Sequence, residues 1–364
     1  MSRALKAGII GLPNAGKSTL FNALTAAGVP AEAYPFTTVD PNIGVVEVPD
    51  PRLDHLFELV QPARKVPAVV EFVDIAGLVE GAHRGEGLGN RFLSHIRDVE
   101  AVVHAVRCFE DPNVAHPAAR IDPVRDVQTV ETELLLADLE TVQRRGDRVD
   151  RVARSGDRAA QGEVELLTRL EEWLDAGKPA RDLECGDFER EVLRSLFLLT
   201  GKPVLYVANV SEEFAAGGDE GAAALAAAVG LDRVVAVSCR LEAEILGLEP
   251  AERREYLAAV GLEEPAVNRL VRATYGLLGL ITFFTFNEKE VRAWTVRQGS
   301  LAPEAAGIVH SDFQKGFIRA ETVRYLDFAR VGSLKAAREE GLVRAEGKDH
   351  MVEDGDILLF RAHA

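Results

Sequence analysis

A short segment of the sequence has the residue types and spacing needed to hold phosphate groups. Gly11-Leu-Pro-Asn-Ala-Gly-Lys-Ser18 matches G-x-x-x-x-G-K-[ST] and lies between an apolar run typical of a strand and a helical pattern. In such a loop, backbone N–H groups and the positive end of the following helix surround the phosphates. Lys17 would reach the β- and γ-phosphates, as a candidate catalytic residue, and the Ser18 hydroxyl would bind Mg²⁺. The predicted nucleotide-binding residues here are Asn14, Ala15, Gly16, Lys17, Ser18 and Thr19.

A second carboxylate for the metal is expected at the end of a neighbouring strand. Asp74 closes the apolar run Val69–Asp74 and opens Asp74-Ile-Ala-Gly77. Asp74 would hold Mg²⁺ through a water molecule, and the Gly77 N–H would contact the γ-phosphate. Thr37 and Thr38 lie between the two motifs, and we expect Thr38 to close onto Mg²⁺ when the γ-phosphate is present. Capping or turn formation by these threonines is the competing interpretation.

Two further strand ends indicate where the purine base would lie. Asn209-Val-Ser-Glu212 follows an apolar strand at the place where a GTPase carries N-K-x-D, and Ser238-Cys239 follows the next strand. A GTPase uses the Asp to accept two adjacent guanine N–H groups. Glu212 is longer by a methylene and Val210 replaces the Lys, so guanine selectivity should weaken, and with adenine Glu212 must turn away or stay hydrated. Asn209 would contact adenine N6 and N7.

The order of apolar runs predicts the elements that position these residues. Strand-like and helical patterns alternate over residues 1–126 and again over 204–278, which indicates an α/β domain built from two parts. Residues 127–203 instead have Leu, Val and Trp at helical spacing among many charges, which predicts an inserted antiparallel helix pair. We expect the chain to reverse at Gly146 or at Ser155-Gly156-Asp157.

The last part of the chain has a different pattern. Ile281–Phe286 and Val291–Val296 are separated by a short polar segment and predict a β-hairpin, and Gly355–Phe360 predicts another strand. Residues 279–364 are therefore expected to form a separate small α+β domain.

Composition limits the class of protein. The net charge of -16 and pI near 5.1 disfavour diffuse attraction to nucleic acid, so any RNA contact must use a local basic patch. The three cysteines are far apart, which indicates neither disulfides nor a zinc site and fits a reducing cytoplasm. No secretory signal is apparent, and the longest apolar run, Tyr275–Phe286, is too short to span a membrane.

Several motifs together resemble the YchF family of Obg-like ATPases, and the match extends over nearly the whole chain. Besides the phosphate loop, they are Tyr34-Pro-Phe, Asp74-Ile-Ala-Gly-Leu-Val, Gly85-Glu-Gly-Leu-Gly-Asn90, Arg107-Cys-Phe-Glu-Asp, Asn209-x-x-Glu212, Glu290-Val-Arg-Ala-Trp-Thr and His310-Ser-Asp-Phe-Gln-Lys-Gly-Phe-Ile-Arg-Ala. The resemblance implies a P-loop NTPase G domain with an inserted α-helical hairpin. It also implies a C-terminal TGS domain, which is a small ubiquitin-like β-grasp module, together with ATP preference and association with ribosomes.

The resemblance also implies roles for individual residues. Phe109 and the backbone of Val210 and Cys239 would complete the adenine pocket, and Asn14 would ligate a K⁺ ion at the phosphates. Leu78 stands where a Ras-like GTPase has its water-orienting Gln, which predicts slow turnover. The family motif points to His116 as the water-positioning residue. His83 is the competing histidine, and a structural role for His116 remains open.

Three functions are compatible with these patterns. The first is an ATP-hydrolysing switch on the ribosome, the second a GTP-specific Obg-like GTPase, and the third a ribosome- or RNA-binding module with a non-catalytic nucleotide site. Contacts to rRNA would involve the helical and C-terminal domains. In the latter the candidate contacts, as opposed to ordinary solvated charges, are His310, Lys315, Arg319 and Arg324.

Overall fold

The first of two sheets carries the predicted α/β domain. The structure, a computed structural model, describes residues 5–26, 42–75, 88–117 and 120–363. The strands of the first sheet, in the spatial order β2-β4-β1-β5-β6-β7, are parallel except for β2, which runs antiparallel to β4. Their bounds are β1 (Lys6–Ile10), β2 (Ile43–Glu47), β4 (Val69–Asp74), β5 (Ala101–Arg107), β6 (Val204–Asn209) and β7 (Val234–Val237).

Helices cover both faces of this sheet. The central strand β5 is buried along its whole length, as expected for a parallel strand between two helical layers. One layer contains α1 (Lys17–Ala26), α8 (Cys239–Ile245) and α10 (Ala266–Leu277), and the other contains α3 (Leu88–Arg97) and α7 (Glu220–Val229). The two remaining helices of this part are α2 (Pro51–Val60) and α9 (Pro250–Ala259). The predicted α/β fold class is confirmed.

The helical insertion is an antiparallel pair followed by a shorter helix. Its helices are α4 (Pro123–Ala153), α5 (Arg158–Asp175) and α6 (Asp187–Leu196), and α4 begins where Asp122 caps the helix ahead of Pro123. The chain reverses over residues 154–157, where Asp157 caps α5, so this predicted turn is confirmed. The predicted reversal at Gly146 is wrong because α4 passes through it. A helical glycine costs about 1 kcal/mol, which the burial of Val142 and Val149 on either side outweighs.

A buried carboxylate joins the first helix of the insertion to the segment that returns to the α/β domain. Asp138 of α4 is 1% exposed, and it accepts hydrogen bonds from the backbone N–H groups of Leu199 and Thr200, both 2.8 Å long. The Thr200 hydroxyl donates a third bond of 2.7 Å. Burial raises the pKa of Asp138, while these hydrogen bonds oppose that rise. The contact fixes α4 against the segment that leads into β6.

The second sheet contains the predicted hairpin. Its order is β11-β10-β12-β8-β9-β3, and β8 and β9 pair antiparallel around a turn in which Asn287 accepts from the N–H groups of Lys289 and Glu290. The strands are β3 (Arg64–Val66), β8 (Leu280–Phe286), β9 (Glu290–Arg297), β10 (Phe317–Arg324), β11 (Arg344–Glu346) and β12 (Asp356–Ala362). The helices that accompany them are α11 (Ala302–Val309), α12 (Ser311–Lys315), α13 (Tyr325–Val331) and α14 (Leu334–Glu339).

The second sheet is joined to the α/β domain by a strand and by a common core. The strand β3 belongs to the first part of the chain and pairs in parallel with β9. Phe284, Val291 and Ile357 of the second sheet lie in the same hydrophobic cluster as Leu56 of α2 and Leu270 of α10. The last part of the chain therefore buries some of its apolar residues against the α/β domain, while Phe283, Val296 and Phe317 belong to a cluster of its own. Across the described residues, no helix has the length and apolar character needed to cross a membrane.

We predict that Asp138→Ala lowers the free energy of unfolding by about 2–4 kcal/mol, because it leaves two buried N–H groups and a hydroxyl without their acceptor. Urea denaturation of the full chain measures this effect. Asp150→Ala is the matched control, since Asp150 lies on the same helix and its side chain is 43% exposed in an ion pair with Arg154. That control should change stability by less than about 0.5 kcal/mol. Equal midpoints for the two variants would contradict the anchoring role.

Candidate nucleotide site

The phosphate loop connects β1 to α1 and depends on two glycines. Gly11 has φ +148°, and a Cβ placed there would lie 2.3 Å from the Ala105 carbonyl oxygen. Gly16 has φ +96°, and its Cβ would lie 2.3 Å from Asn209 Nδ2. Any larger residue would therefore clash with fixed neighbours, and both positions also have the left-handed backbone that favours glycine. Asn14 adopts φ +61° between them.

Lys17 is held inside this loop. Its ammonium donates hydrogen bonds to the carbonyl oxygens of Gly11 (3.0 Å) and Leu12 (2.8 Å), and the residue is 8% exposed. Burial lowers the pKa of Lys17, whereas the nearby Asp74 carboxylate raises it. Two carbonyl oxygens of the loop thus fix the position of the cation.

Two of the predicted Mg²⁺ ligands, Ser18 and Asp74, meet at the ends of neighbouring strands. Ser18 Oγ donates to Asp74 Oδ2 at 3.3 Å. The contact forms because Asp74 ends β4, and β4 pairs in parallel with β1, with Ile9 opposite Asp74. A hydroxyl and a carboxylate are hard oxygen ligands, so this pair fits Mg²⁺, which usually combines one or two carboxylates with phosphate oxygens and water. Thr38 and Gly77, as well as Thr37, Leu78 and His83, lie outside the described residues.

Asn209 connects the phosphate loop to the predicted base loops. Its Nδ2 donates to the Ala15 carbonyl oxygen at 2.9 Å, and its Oδ1 accepts from the Cys239 N–H at 3.1 Å. The Asn209 side chain is buried at 3% exposure, and Ser238 caps α8 beside it. Sequence reasoning assigned Asn209 to the base and missed this bridging role. The contact with adenine stays a prediction.

Glu212 has a partner that the sequence did not indicate. Its carboxylate forms a 2.9 Å ion pair with Arg240 Nε and its side chain is 35% exposed. Arg240 also contacts Glu244, one helical turn further along α8, at 3.1 Å. Glu212 is therefore held by a cation at the surface. Val210, in the position of the GTPase lysine, is 2% exposed and packs in the core beneath.

The loop after β5 is organised by a buried arginine. Arg107 is 2% exposed, and its guanidinium lies 4.6 Å from the centre of the Phe109 ring. It donates to the backbone carbonyls of Phe109, Asp111 and Val114. Phe109, the predicted adenine contact, is thus held by Arg107. The sequence signals at Arg107 were its position at the end of a buried strand and the motif Arg107-Cys-Phe-Glu-Asp, and neither indicated that the guanidinium holds Phe109.

His116 lies at the end of this loop and is bound to α4. Its Nε2 is 2.9 Å from Asp126 Oδ2, and the two side chains are 5% and 7% exposed. Burial raises the pKa of Asp126, and the hydrogen bond with His116 opposes that rise. Asn14 Nδ2 donates to the Ala115 carbonyl oxygen at 3.0 Å, which places the residue before His116 against the phosphate loop. Water positioning by His116 and K⁺ binding by Asn14 stay predictions.

Known proteins match this chain over its full length. Residues 6–140 match a family described as 50S ribosome-binding GTPase, and residues 280–363 match the C-terminal family of YchF GTPases, described as a protein of unknown function. The chain is 51% identical to the Ribosome-binding ATPase YchF of Bacillus subtilis strain 168, over 98% of this chain and 99% of that protein. This chain belongs to the YchF family.

Other members agree with that assignment. The chain is 42% identical to Obg-like ATPase 1 of Rattus norvegicus, over 98% of this chain and 92% of that protein. A solved structure described as that of the Schizosaccharomyces pombe YchF GTPase is 35% identical and superposes with a TM-score of 0.90, covering 99% of this chain and 98% of that one. The YchF resemblance found in the motifs is confirmed.

We predict that Asn209→Ala weakens nucleoside triphosphate binding by at least about tenfold in this YchF protein. The substitution leaves the Ala15 carbonyl and the Cys239 N–H buried without partners, each at a cost of about 1–3 kcal/mol, and releases the phosphate loop from β6 and α8. Titration with a fluorescent ATP or GTP analogue measures the affinity. Ser211→Ala, two residues further on, is the control and should bind as the wild type does. Unchanged affinity in Asn209→Ala would contradict the bridging role.

Proposed function

We propose that this YchF protein binds and hydrolyses ATP, in preference to GTP, as a conformational switch that works on the ribosome in the cytoplasm. Support for nucleotide hydrolysis comes chiefly from one arrangement. Lys17 lies inside the phosphate loop and the Ser18 hydroxyl lies 3.3 Å from the Asp74 carboxylate. These are the parts that a P-loop enzyme uses to hold the β- and γ-phosphates with their metal.

Metal ions would supply part of the charge that phosphoryl transfer needs. Ser18, Thr38 and, through water, Asp74 would hold Mg²⁺, which neutralises charge on the phosphate oxygens when bound. Asn14 would contribute to a K⁺ site at the same phosphates. The chain itself keeps the loop amides and the Lys17 ammonium in place, so little reorganisation is needed when the triphosphate binds.

The ion pair of Glu212 supports the preference for ATP. A guanine base would need a free carboxylate to accept its two N–H groups, but Glu212 is paired with Arg240 at 2.9 Å. Adenine presents the N1 acceptor at this edge, which a free carboxylate would repel. The ion pair with Arg240 keeps the Glu212 carboxylate occupied and so reduces that repulsion. Phe109, Asn209 and the backbone of Val210 and Cys239 would surround the base.

Hydrolysis requires a group that orients the attacking water. Leu78 cannot do so, and in this proposal His116 does. The hydrogen bond between His116 Nε2 and the Asp126 carboxylate fixes one ring nitrogen of His116, and therefore the orientation of the ring. Slow intrinsic turnover is expected, because Leu78 stands where a Ras-like GTPase has its water-orienting glutamine.

The ribosome as partner is supported by relatives. The proteins of Bacillus subtilis and Escherichia coli O157:H7 that match over the full chain are both named Ribosome-binding ATPase YchF. In this chain the helical insertion and the C-terminal part, in the proposal a TGS domain, would contact the ribosome and its rRNA. A GTP-specific enzyme and a non-catalytic binding module are the rival functions, and the two experiments below separate them.

We predict that Lys17→Ala abolishes ATP hydrolysis and the effect of nucleotide on ribosome binding, because the β- and γ-phosphates lose their fixed cation. His116→Ala should instead keep ATP affinity and lower turnover by about 10²-fold or more, as expected for loss of a group that acts on the attacking water. Phosphate release with and without ribosomes, together with co-sedimentation, measures both. If the wild type releases no phosphate above background with or without ribosomes, and Lys17→Ala binds ribosomes as the wild type does, the chain is a binding module. If hydrolysis survives in Lys17→Ala, the role assigned to Lys17 is wrong.

We predict that Arg240→Ala lowers the ratio of ATP to GTP affinity by about two- to fivefold, the range expected for loss of one exposed ion pair. The substitution frees the Glu212 carboxylate to accept guanine N–H groups. Glu244→Ala is the matched control because it removes the other partner of Arg240 and leaves the pair with Glu212 intact. Titration of each variant with labelled ATP and GTP gives the ratio. Tighter binding of GTP than of ATP by the wild type would establish the GTP-specific alternative.

A further inference from the structure

One end of the second sheet carries three arginines around a single carboxylate. They line a shallow concavity of about 500 Å³ together with Val343 and Ala345. We call this site the arginine pocket. Its lining residues are Arg319, Glu321, Arg338, Val343, Ala345 and Arg361.

The strand register brings these residues together. Arg319 and Arg361 are direct partners across β10 and β12, and Glu321 lies opposite Ala345 of β11. Residues two apart on a strand share a face, so Arg319 and Glu321 point to the same side of β10. Arg338 approaches from α14, which follows β10 by way of α13. Four separate elements therefore contribute to one surface.

Glu321 organises the three guanidinium groups. Its carboxylate accepts from Arg361 Nε at 3.1 Å and from Arg338 Nη2 at 3.1 Å, and Arg319 Nη2 lies 3.6 Å away. The hydrogen bond from Arg361, followed by that from Arg338, lowers the pKa of Glu321, which keeps it ionised at neutral pH. Its side chain is 14% exposed, whereas the three arginine side chains are 51–53% exposed. The acid lies beneath and the cations lie at the surface.

The charges in this pocket do not balance. Three cations surround one carboxylate, which leaves an excess of two positive charges in a chain whose net charge is -16. One arginine would be enough for an ion pair that only stabilised the fold. Two further arginines at the same carboxylate cost free energy, because their like charges repel one another. Each guanidinium carries five N–H donors, of which Glu321 takes at most two. The remaining donors are suited to an external anion.

We propose that the arginine pocket binds the phosphates of an RNA backbone, as part of the contact with the ribosome. This inference rests on the proposed function and adds the residues and the ligand class of that contact. The cations are all arginines, whose planar forks hold phosphate oxygens in pairs, and Glu321 orients them before binding. A shallow, open surface can accommodate an RNA backbone that passes across it. The arginine pocket includes Arg319, one of the rRNA contacts that the sequence suggested.

The test uses the full chain with Arg338→Ala and Arg361→Ala, singly and together. Binding to a fluorescent rRNA fragment is measured by anisotropy over a range of KCl concentrations, and binding to intact ribosomes by co-sedimentation. The double variant should bind the RNA about tenfold more weakly. The slope of log K against log salt should be smaller by about 2, because two phosphate contacts are lost. Arg338→Lys with Arg361→Lys should recover the slope but only part of the affinity.

The matched control is Arg330→Ala. Arg330 lies on the neighbouring α13, is 57% exposed and pairs with Glu340, so the same charge is lost outside the pocket. It should leave the RNA affinity and the salt slope unchanged. Urea midpoints and ATP titrations show that each variant is folded and still binds nucleotide.

Three other results of these binding measurements would contradict the RNA proposal or the proposed function. If the wild type binds RNA and the double variant binds with the same affinity and slope, the arginine pocket is not an RNA site, while the proposed function stands. If ribosome binding falls but binding to the isolated rRNA does not, the pocket contacts an acidic protein surface and the RNA proposal is wrong. If the wild type binds neither ribosomes nor rRNA at any salt concentration, the proposed ribosome function itself fails.

Discussion

The hydrogen bonds of the buried Asn209 side-chain amide hold the segments of the nucleotide site together. Asn209 is the last residue of β6. Its side chain donates a hydrogen bond to the Ala15 carbonyl oxygen of the phosphate loop and accepts one from the N–H of Cys239, the first residue of α8. None of these groups can be satisfied by water at 3% exposure, so separating any of the three segments leaves a buried polar group unpaired. The space left by the absent side chain of Gly16 is what allows the amide to approach so closely.

Parallel strands explain why residues far apart in the chain meet at this site. The carboxyl ends of β1, β4, β5 and β6 lie along one edge of the first sheet, and each continues into a functional segment. The phosphate loop follows β1, Asp74 ends β4, and the loop held by Arg107 follows β5. The predicted Mg²⁺ ligands, adenine contacts and water-positioning residue therefore all follow strand ends whose relative positions the sheet fixes.

The long helix α4 connects this edge with the helical insertion. Near its start, Asp126 is bonded to His116, and further along Asp138 accepts three hydrogen bonds from Leu199 and Thr200. The same helix then continues without a break through Gly146 to the tip of the hairpin. Any displacement of α4 would consequently move the hydrogen bond that orients His116. The second sheet is joined to the α/β domain by the strand β3 and by a shared hydrophobic cluster.

The sequence by itself determined the class of fold, the phosphate loop, the hairpin of β8 and β9 and the helical insertion, because each is encoded by local spacing and periodicity. It could also pair Ser18 with Asp74, since strand ends of an α/β sheet lie together. Only the tertiary structure decided that Arg240 holds Glu212, that Arg107 holds Phe109, that Asp126 holds His116 and that three arginines surround Glu321. Glu212 and Arg240, and Glu321 and Arg361, are far apart in the chain and meet through packing and strand register, for which local patterns carry no signal. Arg107 and Phe109, and His116 and Asp126, are close in the chain, but their contacts depend on side-chain orientations that local patterns do not specify. The strand β3 was not predicted because three residues show too little periodicity to be recognised. The turn at Gly146 was predicted wrongly because the burial of Val142 and Val149 outweighs the low helix propensity of the glycine.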